Sequence, residues 1–371
     1  MREILTLCLA TIAVVARAPA QNAAPTPAPD YLVWVASEAT DRIALVRFSA
    51  AAGALVEREF TIGLLPTDPD GPHGLTVSPD RRFLYITTAH GQPFGFLWKI
   101  DAVTSAVVGR VELGMFPATV QLTPDGAFAY VVNFNVHGDM VPSSVSVVGT
   151  DDMVEVARVP TCTMPHGSRL NPQGTKQYSA CMMDDQVVEI DTRTFGVARR
   201  FSVDKGQEGE EHIAHSAPRT AHTPTCSPTW AQPSADGSRV YVACNKSNEI
   251  LDIDVGRWVL ARRIAAAEGV YNLAVTHDGQ LLLATNKRAQ SVSVFELITG
   301  KEVARIATKR RIVHGVVVSP DDRYAFVSVE GIGSQPGTVE VIDLRTRAVV
   351  AAADVGQMAG GIDFWKTEGG H

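Results

Sequence analysis

The sequence lacks the motifs that mark several large classes of protein. It has no Cys-x-x-Cys-His motif, no phosphate-binding or dinucleotide-binding glycine pattern and no nucleophile elbow. These absences argue against covalent haem, against nucleotide binding through a known loop and against hydrolysis by an elbow serine. No segment keeps a 3.6-residue hydrophobic period for more than about two turns, so the pattern also disfavours a helical fold.

Positive charge is also in short supply. The formal net charge is −7, from 33 Lys and Arg against 40 Asp and Glu. A mildly acidic surface disfavours nucleic acid as the main partner, because the phosphate backbone is bound mainly through Lys and Arg. We therefore expect a small molecule, a metal ion or another exported protein as the partner, and a monomeric chain.

Long apolar runs are confined to the N-terminus. Arg2 precedes the apolar run 4–16, and Ala18-Pro19-Ala20 fits a small-residue cleavage site. This pattern predicts a secretory signal peptide at 1–20, with an uncleaved anchor as the alternative. Residues 21–30 are rich in Ala, Pro and Thr and read as a flexible lead-in. No later stretch is apolar enough to cross a membrane, so we expect a periplasmic or secreted protein.

What the chain does contain is a repeated frame that begins with histidine. His73, His166 and His314 are each followed by Gly, and an aromatic residue stands twelve positions after the histidine in all three cases. A turn sequence such as Ser78-Pro79-Asp80 lies between the two. The frame therefore indicates an internal repeat in which histidine occupies one fixed position.

Each unit of the repeat holds four short β-type segments in roughly forty to fifty residues, which is typical of a propeller blade. Six complete units begin near His73, Pro117, His166, Trp230, Tyr271 and His314. An incomplete unit at Tyr31 lacks its first strand, and the segment 359–365 supplies it from the far end of the chain. We predict an all-β, seven-bladed propeller of four-stranded blades, closed by pairing of the N- and C-terminal strands. The predicted domain spans 31–367, and a short tail follows at 368–371.

The segment after the second turn of a unit carries a family resemblance. It reads Tyr130-Val131-Val132-Asn133, Tyr241-Val242-Ala243-Cys244 and Leu283-Ala284-Thr285-Asn286 in three of the units. With the Ser-Pro-Asp-Gly-type turns, it resembles the YVTN-repeat propellers, the group that includes YncE-like exported proteins. Similar seven-bladed propellers include lactonases of the 6-phosphogluconolactonase type, the amine dehydrogenase heavy chain and the copper-bearing domain of nitrous oxide reductase. The resemblance thus implies the fold and export, but leaves the chemistry open.

The recurring histidine stands where the inner strand of a blade begins. In a propeller, this position and the end of the second strand open on the same face, so residues from every blade converge on one mouth of the central channel. His73, His166 and His314 hold the position in three blades, and Ala359 holds it in the closing strand. We therefore expect the three histidines to surround the channel.

The ends of the second strands add further side chains of the ligand type. These are His90, His137, Cys181, Met182 and Met183. Imidazole and sulfur suit a soft or borderline metal ion, so we interpret the mouth as a candidate copper or zinc site. Two other roles stay open: the histidines hydrogen-bond only to backbone, or they bind an anion and carry out acid–base chemistry.

Three other residues are candidates for ligand binding at the same mouth. Trp230 and Tyr271 begin inner strands and can stack on a ring-shaped ligand or simply pack in the core. Arg169 is a charged residue inside an inner strand, where it can pair with an anionic ligand or with Asp363 in the closing strand.

An insertion at 204–228 precedes the inner strand of the fifth blade. It carries His212 and His215 among several acidic residues. Long loops on a rigid scaffold often carry function, so one interpretation is a lid that brings these two histidines to the metal. The other is a solvated loop.

The predicted mature chain has four cysteines: Cys162, Cys181, Cys226 and Cys244. Two of them, Cys181 and Cys244, stand where the YVTN motif has Asn. An even number in an exported protein favours disulfides, and we expect Cys162–Cys181 and Cys226–Cys244, since each pair joins neighbouring strand ends. Pairing across blades and thiolate metal ligation are the alternatives.

Three functions are compatible with these patterns. The first is a binding or accessory module with His73, His166 and His314 at its centre, holding a metal ion. The second is an enzyme that uses the same face, a lactonase or a metal-dependent oxidoreductase. The third is a protein-interaction scaffold. No Asp or Glu occupies the aligned inner-strand starts, which favours binding over hydrolysis.

Overall fold

The computed structural model describes residues 28–65, 67–90, 94–211 and 222–369. The predicted signal peptide, His212 and His215 lie outside these ranges. The described residues form seven antiparallel sheets, which are the blades of the predicted propeller. Their one helical element is a short 3-10 turn, Glu38–Thr40.

The strands are assigned to blades in chain order. Blade 1 contains β1 (Asp30–Ser37), β2 (Arg42–Ser49), β3 (Gly53–Thr61) and β29 (Ala359–Glu368). Blade 2 contains β4 (Pro72–Val77), β5 (Phe83–Thr88), β6 (Phe96–Asp101) and β7 (Val107–Glu112). Blade 3 contains β8 (Pro117–Leu122), β9 (Phe128–Asn133), β10 (Pro142–Gly149) and β11 (Val154–Thr163).

The remaining blades follow the same pattern. Blade 4 contains β12 (Pro165–Leu170), β13 (Lys176–Cys181), β14 (Gln186–Asp191), β15 (Gly196–Ser202) and β16 (Gly209–Glu211). Blade 5 contains β17 (Pro228–Pro233), β18 (Arg239–Cys244), β19 (Glu249–Asp254) and β20 (Val259–Ala265). Blade 6 contains β21 (Val270–Val275), β22 (Leu281–Asn286), β23 (Ser291–Glu296) and β24 (Lys301–Ala307). Blade 7 contains β25 (Val313–Val318), β26 (Tyr324–Val329), β27 (Gly337–Asp343) and β28 (Ala348–Val355).

The ring closes through the two ends of the chain, as predicted. In blade 1 the strand order is β29-β1-β2-β3, so the last strand of the chain is the inner strand of the first blade. Val33 lies opposite Phe364 and Trp34 opposite Asp363 in an antiparallel ladder. Closure leaves no long free edge on the inner strands, which keeps such an all-β chain from pairing with other chains.

The Ser-Pro-Asp turns connect the first and second strands of a blade. In blade 2, the Asp80 carboxylate accepts hydrogen bonds from Ser78 Oγ (2.6 Å) and from the backbone N–H of Arg82 (3.1 Å). Ser78 Oγ in turn accepts one from the N–H of Phe83 at 2.9 Å. Equivalent Ser/Thr–Asp pairs recur in other blades at Thr123, Ser234, Thr276 and Ser319. Each turn reverses the chain on the face opposite the predicted mouth.

Hydroxyl groups on the second strands tie one inner strand to the next. Thr285 Oγ1 donates to the carbonyl oxygen of His314 at 2.9 Å, and Ser328 Oγ donates to that of Gly360 at 2.5 Å. Gly360 is therefore the position in β29 equivalent to His314, so the sequence alignment that placed Ala359 there was wrong by one residue. A Cβ at the glycine after each histidine would collide with the neighbouring inner strand, which explains the recurrent His-Gly pair.

Both expected disulfides are formed. Cys162 at the end of β11 is bonded to Cys181 at the end of β13, and Cys226, just before β17, is bonded to Cys244 in β18. Oxidised cysteines have no thiolate to offer a metal ion, so the alternative of thiolate ligation does not apply to this structure. Two disulfides are typical of proteins from oxidising compartments and support an exported protein.

Candidate functional site

The inner-strand starts converge on one mouth of the channel and place aromatic rings against one another. The ring centroid of His73 lies 5.4 Å from that of His314 and 6.3 Å from that of His166. Tyr271 completes the set, with its ring centroid 5.3 Å from His166 and 5.1 Å from His314. These four residues, called the histidine layer below, come from blades 2, 4, 6 and 7 and are all largely buried.

His73 is held by a carboxylate. Its Nδ1 lies 2.6 Å from Glu38 Oε2, and the other oxygen of Glu38 lies 2.5 Å from His90 Nε2. Burial alone would raise the pKa of Glu38, but His73 and His90 outweigh it and hold the pKa well below its usual range. An ionised Glu38 accepts the proton of His73 Nδ1. The lone pair of His73 then sits on Nε2, which is buried and has no hydrogen-bond partner among the described residues.

His166 shows the same arrangement with different partners. Its Nδ1 lies 2.9 Å from the carbonyl oxygen of Thr229, and its Nε2 lies 2.9 Å from the hydroxyl of Tyr271. A carbonyl can only accept, so Nδ1 carries the hydrogen and Nε2 accepts one from Tyr271. Burial lowers the pKa of His166 to about 3. The imidazole is therefore neutral at ordinary pH.

His314 is the least constrained of the three histidines. Its Nε2 is 3.9 Å from Glu330 Oε1, too far for a hydrogen bond, and its Nδ1 is buried without a partner among the described residues. Burial and the nearby charge of Lys287 lower the pKa of His314 well below its usual value. A neutral imidazole with a buried, unpartnered nitrogen is free to bind an added ligand.

A lysine lies beside the histidine layer. Lys287 Nζ is 3.0 Å from Glu330 Oε1 and 3.9 Å from the ring centroid of Tyr271. Burial raises the pKa of the Tyr271 hydroxyl, so it is protonated and can donate to His166. Burial would lower the pKa of Lys287, but Tyr271 and Glu330 raise it overall. The ammonium and the Glu330 carboxylate thus form a partly buried ion pair.

A small cavity of about 30 Å³ lies in the channel against the histidine layer. His73 and His314 line it, together with Arg169, Trp230 and Asn272. At roughly 10–15 Å³ per water, this volume holds about two water molecules or a metal ion with one small ligand. A ring-shaped substrate does not fit inside the cavity.

The outer part of the mouth carries the two other predicted histidines. The ring centroids of His90 and His137 are 5.4 Å apart, and Phe116 lies 5.3 Å from His90 and 5.4 Å from His73. The hydrogen bond with Glu38 raises the pKa of His90, because it favours the charged imidazolium. Five predicted histidines therefore gather at one mouth.

Trp230, Tyr271 and Arg169 all lie in the channel, and a cationic side chain already covers a face of each aromatic ring. The guanidinium carbon of Arg169 lies 4.4 Å from the ring centroid of Trp230, and Lys287 covers Tyr271. Asp363 does not form an ion pair with Arg169 in the described residues. Its carboxylate instead accepts hydrogen bonds from Thr76 Oγ1 (3.0 Å) and from the N–H of Val77 (2.8 Å).

The insertion before blade 5 is partly described. Gly209–Glu211 pairs with β15 at the outer edge of blade 4, so this part does not cover the mouth. His222 lies with Asp185 and Asp204, the one group of three among the described residues whose donor atoms all lie within 4.8 Å of one another. The Asp185 oxygens, however, accept backbone N–H groups from Thr225 and Ser227. We therefore interpret the group as a support for this loop.

Three charged residues of the site were missed by the sequence analysis: Glu38, Lys287 and Glu330. Each comes directly after the second strand of its blade, following β1, β22 and β26. The same rule that found His90 was applied only to His, Cys and Met. Extending it to charged residues would have found all three and would have weakened the preference for binding over hydrolysis, which depended on the lack of Asp and Glu at the inner-strand starts.

For the metal-free protein we expect the free energy of unfolding to fall as the pH drops from 7 to 5. The unfolded chain takes up protons on His166 and His314 below about pH 6.5, whereas the folded chain keeps both neutral. Stability is thus fully present above the unfolded pKa and is lost below it, by about 1.4 kcal/mol per pH unit for each group. The raised pKa of His90 opposes this loss in part.

Urea unfolding at pH 7, 6 and 5 measures this slope. The slope reports how many protons the chain takes up on unfolding, and His166→Gln should lower that number by about one. The control His277→Gln, at an exposed histidine paired with Asp322, should leave it unchanged. An unchanged slope in His166→Gln would show that His166 is not buried in the neutral form.

The fold is shared with several solved structures. The periplasmic gluconolactonase PpgL of Pseudomonas aeruginosa is 18% identical, with a TM-score of 0.67 over 91% of this chain and 99% of that chain. A putative 6-phosphogluconolactonase from Bacteroides fragilis is 14% identical, with a TM-score of 0.66 over 91% and 98%. A chain of Kuenenia stuttgartiensis hydrazine synthase is 21% identical, with a TM-score of 0.62 over 80% and 91%.

At these identities the likeness shows the seven-bladed fold alone. No protein-family profile matches the chain, and no curated protein matches it in sequence. The resemblance to the YVTN-repeat and YncE-like group therefore stays a prediction. The described residues contain no helix with the length and apolarity needed to cross a bilayer.

Proposed function

We propose that the protein is an exported propeller that binds one copper or zinc ion on imidazole nitrogens at the mouth of its channel. The observation that carries the proposal is the environment of His73. Metal-binding histidines commonly donate their second ring N–H to a carboxylate, which fixes the tautomer and turns the other nitrogen toward the metal. The Glu38–His73 pair has this form, and His73 Nε2 is buried without a partner.

The spacing of the rings supports the same function. Imidazole nitrogens bind zinc at about 2.0–2.1 Å, so two such ligands on a tetrahedral ion place their ring centroids roughly 5 Å apart. His73 and His314 are separated by 5.4 Å. His166 joins them as a third ligand when Tyr271 releases its Nε2, since His166 Nδ1 is already held by a carbonyl oxygen.

The charges that directly flank the histidine layer are compatible with a cation, and the one positive charge on the cavity wall without an ion pair among the described residues is that of Arg169. Lys287 is neutralised by Glu330 at 3.0 Å, and Glu38 adds a negative charge directly behind His73. Imidazole ligands suit copper and zinc better than magnesium or calcium, which prefer oxygen. We therefore assign the site to a borderline metal.

Metal analysis of the protein purified from the compartment to which it is exported tests the proposal. We expect about one equivalent of copper or zinc in the wild type and its loss in the His73→Ala/His166→Ala/His314→Ala variant. The control is His277→Ala, on the surface and paired with Asp322. A wild type that contains no metal and takes up none when zinc or Cu(I) is added would refute the proposal.

A hydrolase of the lactonase class is the second candidate, favoured by Glu38 itself. A carboxylate that orients a histidine is the usual arrangement for a general base. A substrate would have to approach from the outer mouth, because the cavity is small. Turnover of δ-gluconolactone that is lost in His73→Ala, but survives treatment with a chelator, would favour this candidate over the metal site.

A further inference from the structure

Arg169 is a partly buried cation in the channel without an ion-pair partner. It lies near the end of β12 and lines the channel cavity. Its guanidinium makes one hydrogen bond among the described residues, to the carbonyl oxygen of Ser168 at 2.9 Å. One face of the group lies on Trp230. A guanidinium carries five N–H donors and stays protonated in proteins, so most of its donors have no acceptor.

The acidic residue that shares the channel does not satisfy Arg169. Asp363 accepts hydrogen bonds from Thr76 Oγ1 and from the N–H groups of Val77 and Phe364, and no ion pair joins it to Arg169 in the described part of the chain. Burial of a charge is costly unless it is paired and hydrogen-bonded. The charge of Asp363 acts on Arg169, but no carboxylate oxygen contacts the guanidinium, so the donors that remain free beside the cavity can bind an anion.

The side chain of Asn272 lines the same cavity and makes no hydrogen bond with the described residues. Its amide can turn its N–H₂ group toward an anion, since the two orientations of the amide occupy the same space. Arg169 and Asn272 thus offer convergent donors on one small volume, while Trp230 forms an apolar wall.

We propose that the cavity binds a small carboxylate with Arg169 and Asn272 as its donors. The planar fork of a guanidinium matches the two oxygens of a carboxylate. A volume of about 30 Å³ limits the ligand to the size of formate or slightly larger, and excludes sugar acids and phosphate esters. The inference does not depend on the metal, because Arg169 lacks an acceptor whether or not the histidines hold an ion.

Thermal unfolding of chelator-treated protein tests the carboxylate site. Sodium formate is compared with sodium gluconate at equal ionic strength, because gluconate has the same charge and is too large for the cavity. We expect formate to raise the Tm of the wild type by about 2–4 °C at saturating concentration. The rise should disappear in Arg169→Met and persist in Arg200→Met, the same change at a buried arginine that lies outside the channel and contacts Gln186.

A second variant keeps the test decisive if Arg169→Met does not fold. Arg169→Lys retains the charge but not the fork, and should weaken formate binding at least tenfold. Equal Tm values in formate and gluconate for the wild type would overturn the inference, and so would a formate effect that persists in Arg169→Met or is undiminished in Arg169→Lys. Because the protein is metal-free throughout, failure here leaves the metal proposal standing, and the reverse also holds.

Discussion

Deletion of residues 357–371 is expected to abolish folding to a monomeric propeller. The deletion removes β29, which pairs along the whole of β1 as the inner strand of blade 1. It also removes Trp365, whose ring centroid lies 5.8 Å from that of Trp34, and the buried Ile362. Losing a large buried side chain costs about 3–5 kcal/mol, so these two losses approach the total stability of a typical domain.

Opening the ring has a second consequence. Without β29, the N–H and C=O groups of β1 that face the channel have no partners, and a free inner edge can pair with another chain. We therefore expect aggregation, or loss of the cooperative unfolding transition, in size-exclusion chromatography and urea titration. A truncated chain that stays monomeric and unfolds like the full chain would contradict this expectation.

A circular permutant is the matched control. Glu368 lies opposite Asp30 in the ladder, so β29 and β1 can be joined by a short turn into a hairpin. Placing residues 356–369 ahead of Asp30 and ending the chain at Val355 should restore the fold. Recovery in the permutant would show that pairing of the strand, and not the position of the C-terminus, is what the propeller requires.

The fold could be predicted from the sequence because a propeller repeats a local rule. The aromatic residue twelve positions after His73, His166 and His314 indicated the register of three blades, and related turns that end in Asp-Gly at 125–126, 236–237 and 278–279 indicated that of three more. The closing strand could be predicted by counting the strands of each unit, because the unit at Tyr31 lacks an inner strand and the segment 359–365 is left over at the other end of the chain. Its exact register was less secure because Ala359-Gly360-Gly361 carries no side chain large enough to mark the start of the strand.

The candidate site could be predicted only where its residues share a structural position. The three histidines were found because they occupy one position in the repeat. Glu38 follows a second strand but was missed because only His, Cys and Met were considered at those strand ends. The lack of a partner at Arg169 could not be known from sequence. Asp363 lies in the same channel, but its backbone partners in β4 and β29 decide where its carboxylate points.

Replacement of Glu38 by Gln should weaken zinc binding about 10- to 100-fold, which is the usual effect of losing the carboxylate behind a metal-binding histidine. Glutamine has the same shape but no charge, and its one amide oxygen can face either His73 or His90. His73 therefore loses the charged acceptor that holds its hydrogen on Nδ1 and makes Nε2 basic. Competition between the protein and a chromogenic chelator measures the Kd. Glu340→Gln is the control, since Glu340 is a buried carboxylate in β27 that accepts the N–H of Lys309 away from the mouth.

A purely structural role of Glu38 predicts a different result. In that case Glu38→Gln would lower the free energy of unfolding and leave the zinc Kd of the folded protein unchanged. A positioning role predicts that the hydrogen of the His73 ring shifts from Nδ1 toward Nε2, which ¹⁵N chemical shifts of the ring report directly in the metal-free protein. Because Glu38 also holds His90 at 2.5 Å, the doubly substituted Glu38→Gln/His90→Gln protein separates the two contacts. If the positioning role is correct, Glu38→Gln and Glu38→Gln/His90→Gln lose nearly the same zinc affinity.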